Sequence, residues 1–410
     1  MPARVVITGL GAITPLGLNV EDFWHGLVAG RLGIGPITRF DTSKFPVKVA
    51  GEVRGFEPTN YMPIKRADRI AACTQYAIAA AKMAARSARL DLEKENRQRV
   101  GVVIATSGGM ILLADQGEVL KNRGPMRIDP LLLSKVAPSM VSTQVGLELG
   151  AKGPNSTINS ACASGSDALG QALNLLRLGH ADVIIAGGAE QQVTPMSIAI
   201  TGILGALSRE PDPAKACRPF DLNRKGMVFG DGAGLLVLET LEHARARGAE
   251  ILAELAGAGW SFDAFSETAP DAEQQAAAMA SALRDAVVAP AEVDYINAHG
   301  TGTKLNDAAE TRAIKMVFGE RAYRVSVSSN KSMLGHLACA AGSIEAVASV
   351  LTIQNGLLPP TINYETPDPE CDLDYVPNHA RPQAVSVCLS NSFGMGGQNC
   401  CIVIRKFSGG

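Results

Sequence analysis

Short apolar runs of strand length alternate along this chain with longer segments whose small and apolar residues recur at helical spacing. In the N-terminal part the strand-like runs cover 4–8, 99–106, 156–159, 183–187 and 235–239, and the helical pattern covers 20–29, 66–88 and the segment from 165 onward. In the C-terminal part the strand-like runs cover 251–257, 293–298, 325–328, 384–390 and 399–405, and the helical pattern covers 271–288, 307–318 and 338–354. Strands that alternate with helices predict an α/β fold with layers around a parallel or mixed sheet.

A six-residue pattern occurs twice in the chain. Ala161–Ser166 and Ala338–Ser343 agree at five of six positions, and each copy follows a short strand and opens a helix. We therefore expect a tandem duplication, with an N-terminal half over 1–250 and a C-terminal half over 251–410 that together form one compact unit.

Composition narrows the class of protein. Of the 410 residues 46% are hydrophobic and 19% are charged, which is enough apolar material for a large core. The net charge of −2 gives no bulk electrostatic support for binding nucleic acid or an anionic membrane. No signal peptide or apolar run of membrane-spanning length is visible, and the eight cysteines form no CxxC pair. These features predict a cytoplasmic protein with reduced thiols, without a nucleic-acid or membrane partner.

The glycines of Gly9–Gly17 follow the first strand as they would in a dinucleotide-binding turn. Thr14 stands where the third glycine of that fingerprint belongs, and Pro15 follows it. The sequence therefore predicts no nucleotide site here.

Cys162 is a candidate nucleophile because it lies where a strand turns into a helix. The helix pattern begins at Gly165 and ends at Gly179, a residue type that commonly follows a helix C-terminus. The unpaired N–H groups and the positive dipole end of a helix start favour a thiolate. A cysteine among alanines can equally be a small buried hydrophobe, and this stretch alone does not decide between the two.

Cys339, in the second copy of the repeat, is the alternative nucleophile. His336 lies three residues before it, within reach on a helix. Against this, Cys339 is expected in the first turn of its helix, facing the core between two alanines. From the residues alone, the choice between Cys162 and Cys339 stays open.

Three further polar stretches follow predicted strands. His299 lies in the Gly/Thr-rich segment 297–307 and His336 in the Ser/Gly-rich segment 328–336, and such positions at strand ends indicate a site. The glycine loop 391–399 offers backbone N–H groups that would suit half of an oxyanion hole, although an ordinary flexible turn has the same composition.

Seven blocks in fixed order carry a family resemblance: Val5–Gly17, Ala161–Gly165, Ala298–Thr303, Lys331–His336, Pro360–Asn363, Cys371–Pro377 and Asn391–Gly394. Over nearly the whole chain they resemble the β-ketoacyl-acyl-carrier-protein synthases of the elongating synthase II type and their polyketide ketosynthase relatives. The resemblance implies the thiolase fold, with two duplicated halves in a five-layered α/β/α/β/α arrangement, and a protein that is usually dimeric.

The resemblance also implies roles for the candidate residues. Cys162 matches the family nucleophile, whereas Cys339 matches no catalytic residue. His299 and His336 match the pair that promotes decarboxylation of a malonyl thioester. Lys331 matches a lysine that pairs with a carboxylate, for which we expect Glu310.

The remaining implied site residues hold the substrate. The backbone N–H groups of Cys162 and Met395 would form the oxyanion hole, and Thr301 and Thr303 would line the pantetheine channel. Phe393 and Met395 would also bind the substrate, with Met395 at the position of the acyl-pocket gate. No metal or redox cofactor is expected, because the substrates ride on the phosphopantetheine of an acyl carrier protein.

Partners follow from the same resemblance. We expect an acyl carrier protein, and a homodimer or a heterodimer with a related ketosynthase-like subunit. Carrier proteins are acidic, so Lys65, Arg66 and Arg69 are candidates for carrier docking, with a solvated helix face as the alternative.

The implied activity is the decarboxylative Claisen condensation of 3-oxoacyl-[acyl-carrier-protein] synthases, in fatty-acid or type II polyketide biosynthesis. Three positions depart from the common pattern: Met395 replaces a gating phenylalanine, Gly205 replaces an arginine, and 131–133 is aliphatic. The alternatives are a non-catalytic chain-length-type partner subunit, which would lack the nucleophile, and an unrelated cysteine hydrolase, for which no orienting pair is visible.

Overall fold

The computed structural model describes residues 3–109 and 112–409. Its strands are β1 Val5–Ile13, β2 Gly35–Pro36, β3 Val49–Ala50, β4 Val100–Ala105, β5 Asn155–Ile158, β6 Val183–Glu190, β7 Gly232–Thr240, β8 Ala253–Phe262, β9 Tyr295–Asn297, β10 Ser326–Ser328, β11 Leu357–Leu358, β12 Arg381–Pro382, β13 Val387–Phe393 and β14 Gln398–Arg405.

The α-helices are α1 Val20–Val28, α2 Ile64–Ala67, α3 Ala72–Ser87, α4 Leu112–Arg123, α5 Leu132–Val136, α6 Ser139–Leu149, α7 Ser164–Arg177, α8 Pro195–Ile203, α9 Pro213–Ala216, α10 Leu241–Ala246, α11 Ala272–Ala286, α12 Lys304–Phe318, α13 Lys331–Leu334 and α14 Ala341–Asn355. None of the helices in this part of the chain is long and apolar enough to cross a membrane.

Within the described residues, ten strands form one mixed sheet in the order β10-β9-β13-β14-β8-β1-β7-β6-β4-β5. The two halves meet where β1 lies beside β8. From there outward the N-terminal half has the order β1, β7, β6, β4, β5 and the C-terminal half has the order β8, β14, β13, β9, β10. In both halves these are the first, fifth, fourth, second and third of the half's five strands in chain order. The same order in both halves confirms the duplication that the six-residue repeat predicts.

The helices complete a five-layered arrangement, as expected. Helices α3 and α6 cover the outer face of the N-terminal strands, and α11 with α12 covers the outer face of the C-terminal strands. Helices α7 and α14 lie between the two groups of strands and contact both. Every described residue of α14 from Ala341 to Ile353 is buried, because this helix is enclosed on all sides.

Helices α7 and α14 cross at one glycine from each copy of the repeat. A Cβ atom on Gly165 would lie 2.6 Å from the backbone nitrogen of Ser343, and one on Gly342 would lie 2.7 Å from that of Ser166. The alanine that opens each copy has a positive φ, 50° at Ala161 and 45° at Ala338. The repeat in sequence is therefore a repeat in backbone conformation.

The first strand is longer than its apolar run predicts. Strand β1 continues through Gly9 and Gly11, where a Cβ atom would overlap the backbone of α3 at Ala84 and Ala80. These glycines allow a strand and a helix to pack closely, which explains a glycine pattern that resembles a nucleotide-binding turn.

Two predictions of helices were inaccurate. The single helix expected over 66–88 is two helices, α2 and α3, separated by a short turn. The region around 131–133, for which the sequence pattern predicted no helix, contains α4, α5 and α6. Helix α4 is strongly polar and has no buried residue, so its pattern carries little signal.

Candidate active site

A cleft of about 490 Å³ brings together residues from both halves at the strand ends. Cys162, His299 and His336 line it, together with Phe393 and Met395. The sequence predicted all five for one site, and the fold places them around one cavity.

Cys162 lies two residues before α7 on a turn whose preceding residue, Ala161, is in the left-handed region. Burial raises the pKa of its thiol, while the backbone N–H groups of Met395 and of Cys162 itself, with the Lys331 ammonium, oppose that rise. The helix-start effect therefore acts in the expected direction but is smaller than the cost of burying a charge. The N–H groups at this turn thus favour the thiolate as expected, while burial keeps the net pKa of the thiol raised.

His299 is held by the first turns of α12. The carboxylate of Glu310 accepts hydrogen bonds from the backbone N–H groups of His299 and Gly300, both 2.8 Å, and from Asn391 Nδ2 at 3.1 Å. Burial raises the pKa of Glu310 to about 7 against these three donors. Burial, the Lys331 cation and the neighbouring His336 place the pKa of His299 well below its ordinary value, so this imidazole is neutral at neutral pH.

Lys331 does not pair with Glu310, and that prediction was wrong. Its Nζ forms a buried ion pair with Glu345 of α14, and both side chains are almost fully buried. Glu310 is instead occupied by its three N–H donors. Burial raises the pKa of Glu345 to about 7, and the Lys331 cation opposes the rise. The signal for Glu345 was present in the sequence, since it is the one charged residue in helix α14, which is made mainly of small and apolar residues.

His336 has its tautomer fixed by the backbone. The Ala338 N–H donates to His336 Nδ1 at 3.0 Å, so in the neutral ring the proton is on Nε2. Nε2 is buried and has no hydrogen-bond partner among the described residues. The ring stands edge-on to His299, with centroids 5.3 Å apart and planes at 83°. Burial and Lys331 hold the pKa of His336 well below its ordinary value. The geometry leaves one N–H donor free to meet an oxygen in the cleft.

Cys339 lies in a different environment. It is 3% exposed in the short 3₁₀ turn before α14 and is not part of the cleft lining. Burial and the nearby carboxylate of Glu190 raise the pKa of its thiol well above the ordinary value. Since His336 turns its ring toward His299, the sequence-based alternative of a His336–Cys339 dyad is not formed. Of the two cysteines, only Cys162 lines the cleft.

Thr301 and Thr303 lie on the cleft wall, and their hydroxyl oxygens are 2.8 Å apart. The buried carboxylate of Asp307 accepts from the N–H groups of Thr301 at 3.0 Å and Gly302 at 3.2 Å. Arg224 donates from Nε to the Thr303 carbonyl at 3.1 Å. The turn is thus held on both sides by buried charged groups, a support that the sequence pattern did not reveal.

The glycine loop after β13 lines the cleft beside the histidines. Phe393 packs edge-on against the His299 ring, with centroids 5.8 Å apart, whereas Met395 is 44% exposed. Gly396 and Gly397 have φ values of 91° and 87°, which residues other than glycine rarely adopt. The loop therefore brings the Met395 N–H to Cys162, while the Met395 side chain lies at the opening of the cleft.

The three basic candidates lie around helix α2. Lys65 and Arg69 are exposed, whereas Arg66 is partly buried and forms an ion pair with Glu148. The side chains border a hollow of about 400 Å³ that Leu131 also lines. The patch is thus separate from the lining of the active cleft. Among the described residues no group of three or more His, Cys, Asp or Glu side chains is arranged to hold a metal ion.

Comparison with known proteins places this geometry in a family. The chain matches the model for the β-ketoacyl synthase N-terminal domain over residues 3–244 and that for the C-terminal domain over residues 252–365. It is 47% identical over 408 residues to 3-oxoacyl-[acyl-carrier-protein] synthase 2 of Synechocystis sp. and 45% identical over 407 residues to the protein of that name in Coxiella burnetii, with 98% of this chain and of the Synechocystis protein covered.

Solved ketosynthase structures are also similar to this chain over its whole length. The ishigamide ketosynthase/chain length factor is similar with a TM-score of 0.92 and 39% identity, covering 100% of both chains. A type II PKS ketosynthase in complex with its acyl-carrier protein and bound to the hexaketide is similar with a TM-score of 0.90 and 37% identity, covering 99% of this chain and 100% of that one. With its duplicated layers, its cleft and these matches along both halves, the chain belongs to the β-ketoacyl synthase family and has the thiolase-like ketosynthase fold.

Proposed function

We propose that this protein is a 3-oxoacyl-[acyl-carrier-protein] synthase, which joins a malonyl-derived unit to an acyl group held as a thioester on Cys162. The observation that carries the proposal is one cleft in which a cysteine faces two buried, neutral histidines from the other half. The names of the relatives in Synechocystis and Coxiella support it.

The first half-reaction is acyl transfer. The Cys162 sulfur attacks the acyl thioester on the carrier, and the pantetheine sulfur leaves with the proton that the thiol gives up, so a ping-pong scheme results. Because burial keeps the thiol protonated at rest, the thiolate must be stabilised as it forms. The N–H groups of Cys162 and Met395 and the Lys331 cation supply that stabilisation.

The second half-reaction begins with decarboxylation. His336 donates its Nε2–H to the carbonyl oxygen of the malonyl thioester, and His299 lies edge-on beside it. Carbon dioxide leaves, and the electron pair of the broken C–C bond enters the thioester. The developing enolate oxygen is stabilised by hydrogen bonds from the imidazoles of His336 and His299. Neutral rings suit this task, because they donate a hydrogen bond without placing a second cation beside Lys331.

Condensation then returns to Cys162. The enolate carbon attacks the acyl carbonyl, and the resulting oxyanion accepts from the backbone N–H groups of Cys162 and Met395. Collapse of this intermediate breaks the C–S bond, releases the cysteine sulfur and leaves the 3-oxoacyl chain on the carrier. Every step uses groups of the chain and of its substrates, without a metal or redox cofactor.

The pantetheine arm would enter past Thr301 and Thr303, which line the cleft. We assign carrier docking to Lys65 and Arg69, with Arg66 contributing less because Glu148 already neutralises it. The structure of a type II PKS ketosynthase with its acyl-carrier protein supports such a partner.

Charge reversal tests the docking surface. Lys65→Glu combined with Arg69→Glu should raise KM for a carrier-bound substrate several-fold and leave turnover of a small pantetheine thioester unchanged, because only the carrier meets the patch. Lys152→Glu is the control, since Lys152 is exposed beside Arg97, at the opposite end of the strands from the cleft. An equal loss with both substrates would show that the patch does not bind the carrier.

We propose that the protein works as a dimer, either with itself or with a related ketosynthase-like subunit. Strand β5 is the edge of the large sheet, and Leu133 in the neighbouring helical region is 76% exposed. An open edge beside exposed apolar side chains suits pairing with another chain. The solved ketosynthase/chain length factor supports the heterotypic form. The non-catalytic alternative is disfavoured for this chain, because Cys162 and both histidines are in place.

Acyl-enzyme mass spectrometry tests the activity. Incubation with an acyl-carrier thioester should add one acyl mass to the peptide that contains Cys162, and malonyl-carrier should then release carbon dioxide and remove that mass. Comparing short saturated chains with polyunsaturated ones separates the fatty-acid role from the polyketide role. Absence of any acyl adduct would overturn the proposal.

A further inference from the structure

Asp167 lies one turn into α7 and joins two side chains that the proposed mechanism does not use. Its Oδ2 accepts from Ser160 Oγ at 2.9 Å, and its Oδ1 accepts from Trp260 Nε1 at 2.9 Å. Ser160 belongs to the N-terminal half and Trp260 to strand β8 of the C-terminal half. One carboxylate thus connects the two halves beside the nucleophile.

Ser160 begins the turn that carries Cys162. Its backbone N–H donates to Ser164 Oγ at 2.8 Å, and its carbonyl accepts from the Ala163 N–H at 3.1 Å. Ala161, which lies between Ser160 and Cys162, has a φ of 50°, a conformation that alanine adopts only when its surroundings impose it. Whatever fixes Ser160 therefore fixes the path of the backbone into Cys162.

Trp260, which is 37% exposed, forms the other end of the bridge. Its indole packs so closely on α7 that a Cβ atom on Gly170 would lie 2.5 Å from ring atom Cζ2. Its backbone is paired with Cys400 of β14, the strand that follows the glycine loop. The indole N–H is thereby held in place to bind Asp167.

We propose that Asp167 is a positioning residue for the nucleophile: by binding Ser160 and Trp260 at once, it sets the direction in which Cys162 meets an acyl thioester. The inference rests on the proposed function. It concerns only the steps in which the cysteine sulfur forms or breaks a bond, and the donors of His299 and His336 lie outside it.

The test measures the two half-reactions separately in the full-length protein. Asp167→Ala should slow acylation of Cys162 from an acyl-carrier thioester by about tenfold, the scale set by hydrogen bonds to a charged acceptor. Release of carbon dioxide from malonyl-carrier should be unchanged, since it depends on the histidines. A purely structural role would lower both rates together.

Three variants of matched design sharpen the result. Asp167→Asn keeps an acceptor for the indole and a group that the rotatable Ser160 hydroxyl can bind, so it should restore most of the acylation rate. Trp260→Phe removes one of the two bonds and should fall between Asp167→Ala and the unchanged protein. Gln171→Ala removes only an exposed 3.2 Å contact to the same carboxylate and should have no effect.

Three outcomes would overturn the proposed role of Asp167. These are equal loss of both half-reactions in Asp167→Ala, an unchanged acylation rate in that variant, or an Asp167→Asn variant as slow as Asp167→Ala. Failure of the unmodified protein to release carbon dioxide or to form an acyl adduct would count against the proposed function instead, so the two failures are distinguishable.

Discussion

In both copies of the repeat a cysteine follows an alanine with a positive φ and precedes a helix of the central layer. Cys162 borders the cleft, with the N–H of Met395 and the cation of Lys331 acting on its sulfur. Cys339 is enclosed, and a carboxylate, Glu190, acts on its sulfur. Burial raises the pKa of both thiols, but positive groups oppose the rise at Cys162 whereas a negative group adds to it at Cys339.

The difference arises from strands that hold equivalent places in the two halves. Strand β6 ends at Glu190, whose side chain faces the second cysteine. Strand β13 ends at Phe393 and leads into the glycine loop, whose backbone faces the first. The repeat supplies the backbone turn, and the strand end of the other half determines which groups act on the sulfur.

Removing each sulfur is the strongest test of this comparison. Cys162→Ala should abolish acyl transfer and condensation, and Cys339→Ala should abolish neither, because only the first sulfur is reached from the cleft. Limiting iodoacetamide followed by peptide mass spectrometry should mark Cys162 first. Preferential labelling of Cys339 would reverse the assignment.

The histidines test what the second half contributes to the first. His299→Ala and His336→Ala should each lower malonyl decarboxylation by about 10²- to 10⁴-fold, the usual contribution of a positioned proton donor. Acylation of Cys162 should fall less, since backbone N–H groups and Lys331 act on the sulfur without them. Radiolabelled acyl transfer and carbon dioxide release measure the two rates. Equal losses would contradict this division.

The pH dependence of alkylation distinguishes the two environments. Since the pKa of Cys162 is raised, its thiolate population lies below that of a free thiol at neutral pH, and its alkylation rate should keep rising above pH 9. Cys339, whose pKa is raised further by Glu190, should stay unreacted over the same range. Stopped-flow measurement with a neutral alkylating reagent gives both profiles, and a plateau for Cys162 below pH 9 would contradict the expected ionisation.

The smallest expected effect concerns the side chain of Met395. Its backbone N–H serves Cys162, so Met395→Phe should spare decarboxylation, while the half-exposed side chain meets the incoming chain. Methionine is unbranched and flexible, whereas phenylalanine is rigid, so the variant should accept fewer stiff, branched or unsaturated acyl groups. Acylation rates over a panel of carrier-bound chains measure this. A common factor for the whole panel would mean that Met395 does not select.

Sequence reasoning found the parts whose signal is local. The strand-to-helix turn at Cys162, the duplication and the three glycine-rich or serine-rich loops are visible as residue types in order, and the family blocks add their roles. Pairing across the fold was less accessible. The sequence pointed to Glu310 as the partner of Lys331, and only the folded structure pairs Lys331 with Glu345.

Two other features depended on contacts between distant segments. The glycines of β1 fit α3 rather than a ligand, which the spacing of the glycines does not show. Asp167 and Trp260 are 93 residues apart, and no periodicity connects them. The raised pKa of the Cys162 thiol was also missed, because a sequence shows the helix start but not how far the surrounding residues shield the sulfur from water.

The crossing of α7 and α14 bears on how likeness between the two halves should be understood. Gly165 and Gly342 each meet the backbone of the opposite helix, so neither copy can gain a side chain there without moving the other. A substitution at one of these positions would require a compensating change in the opposite helix. Their shared glycine is thus kept by mutual steric exclusion and is no measure of when the duplication occurred. At such contacts, an ancient repeat and a recent one would look the same.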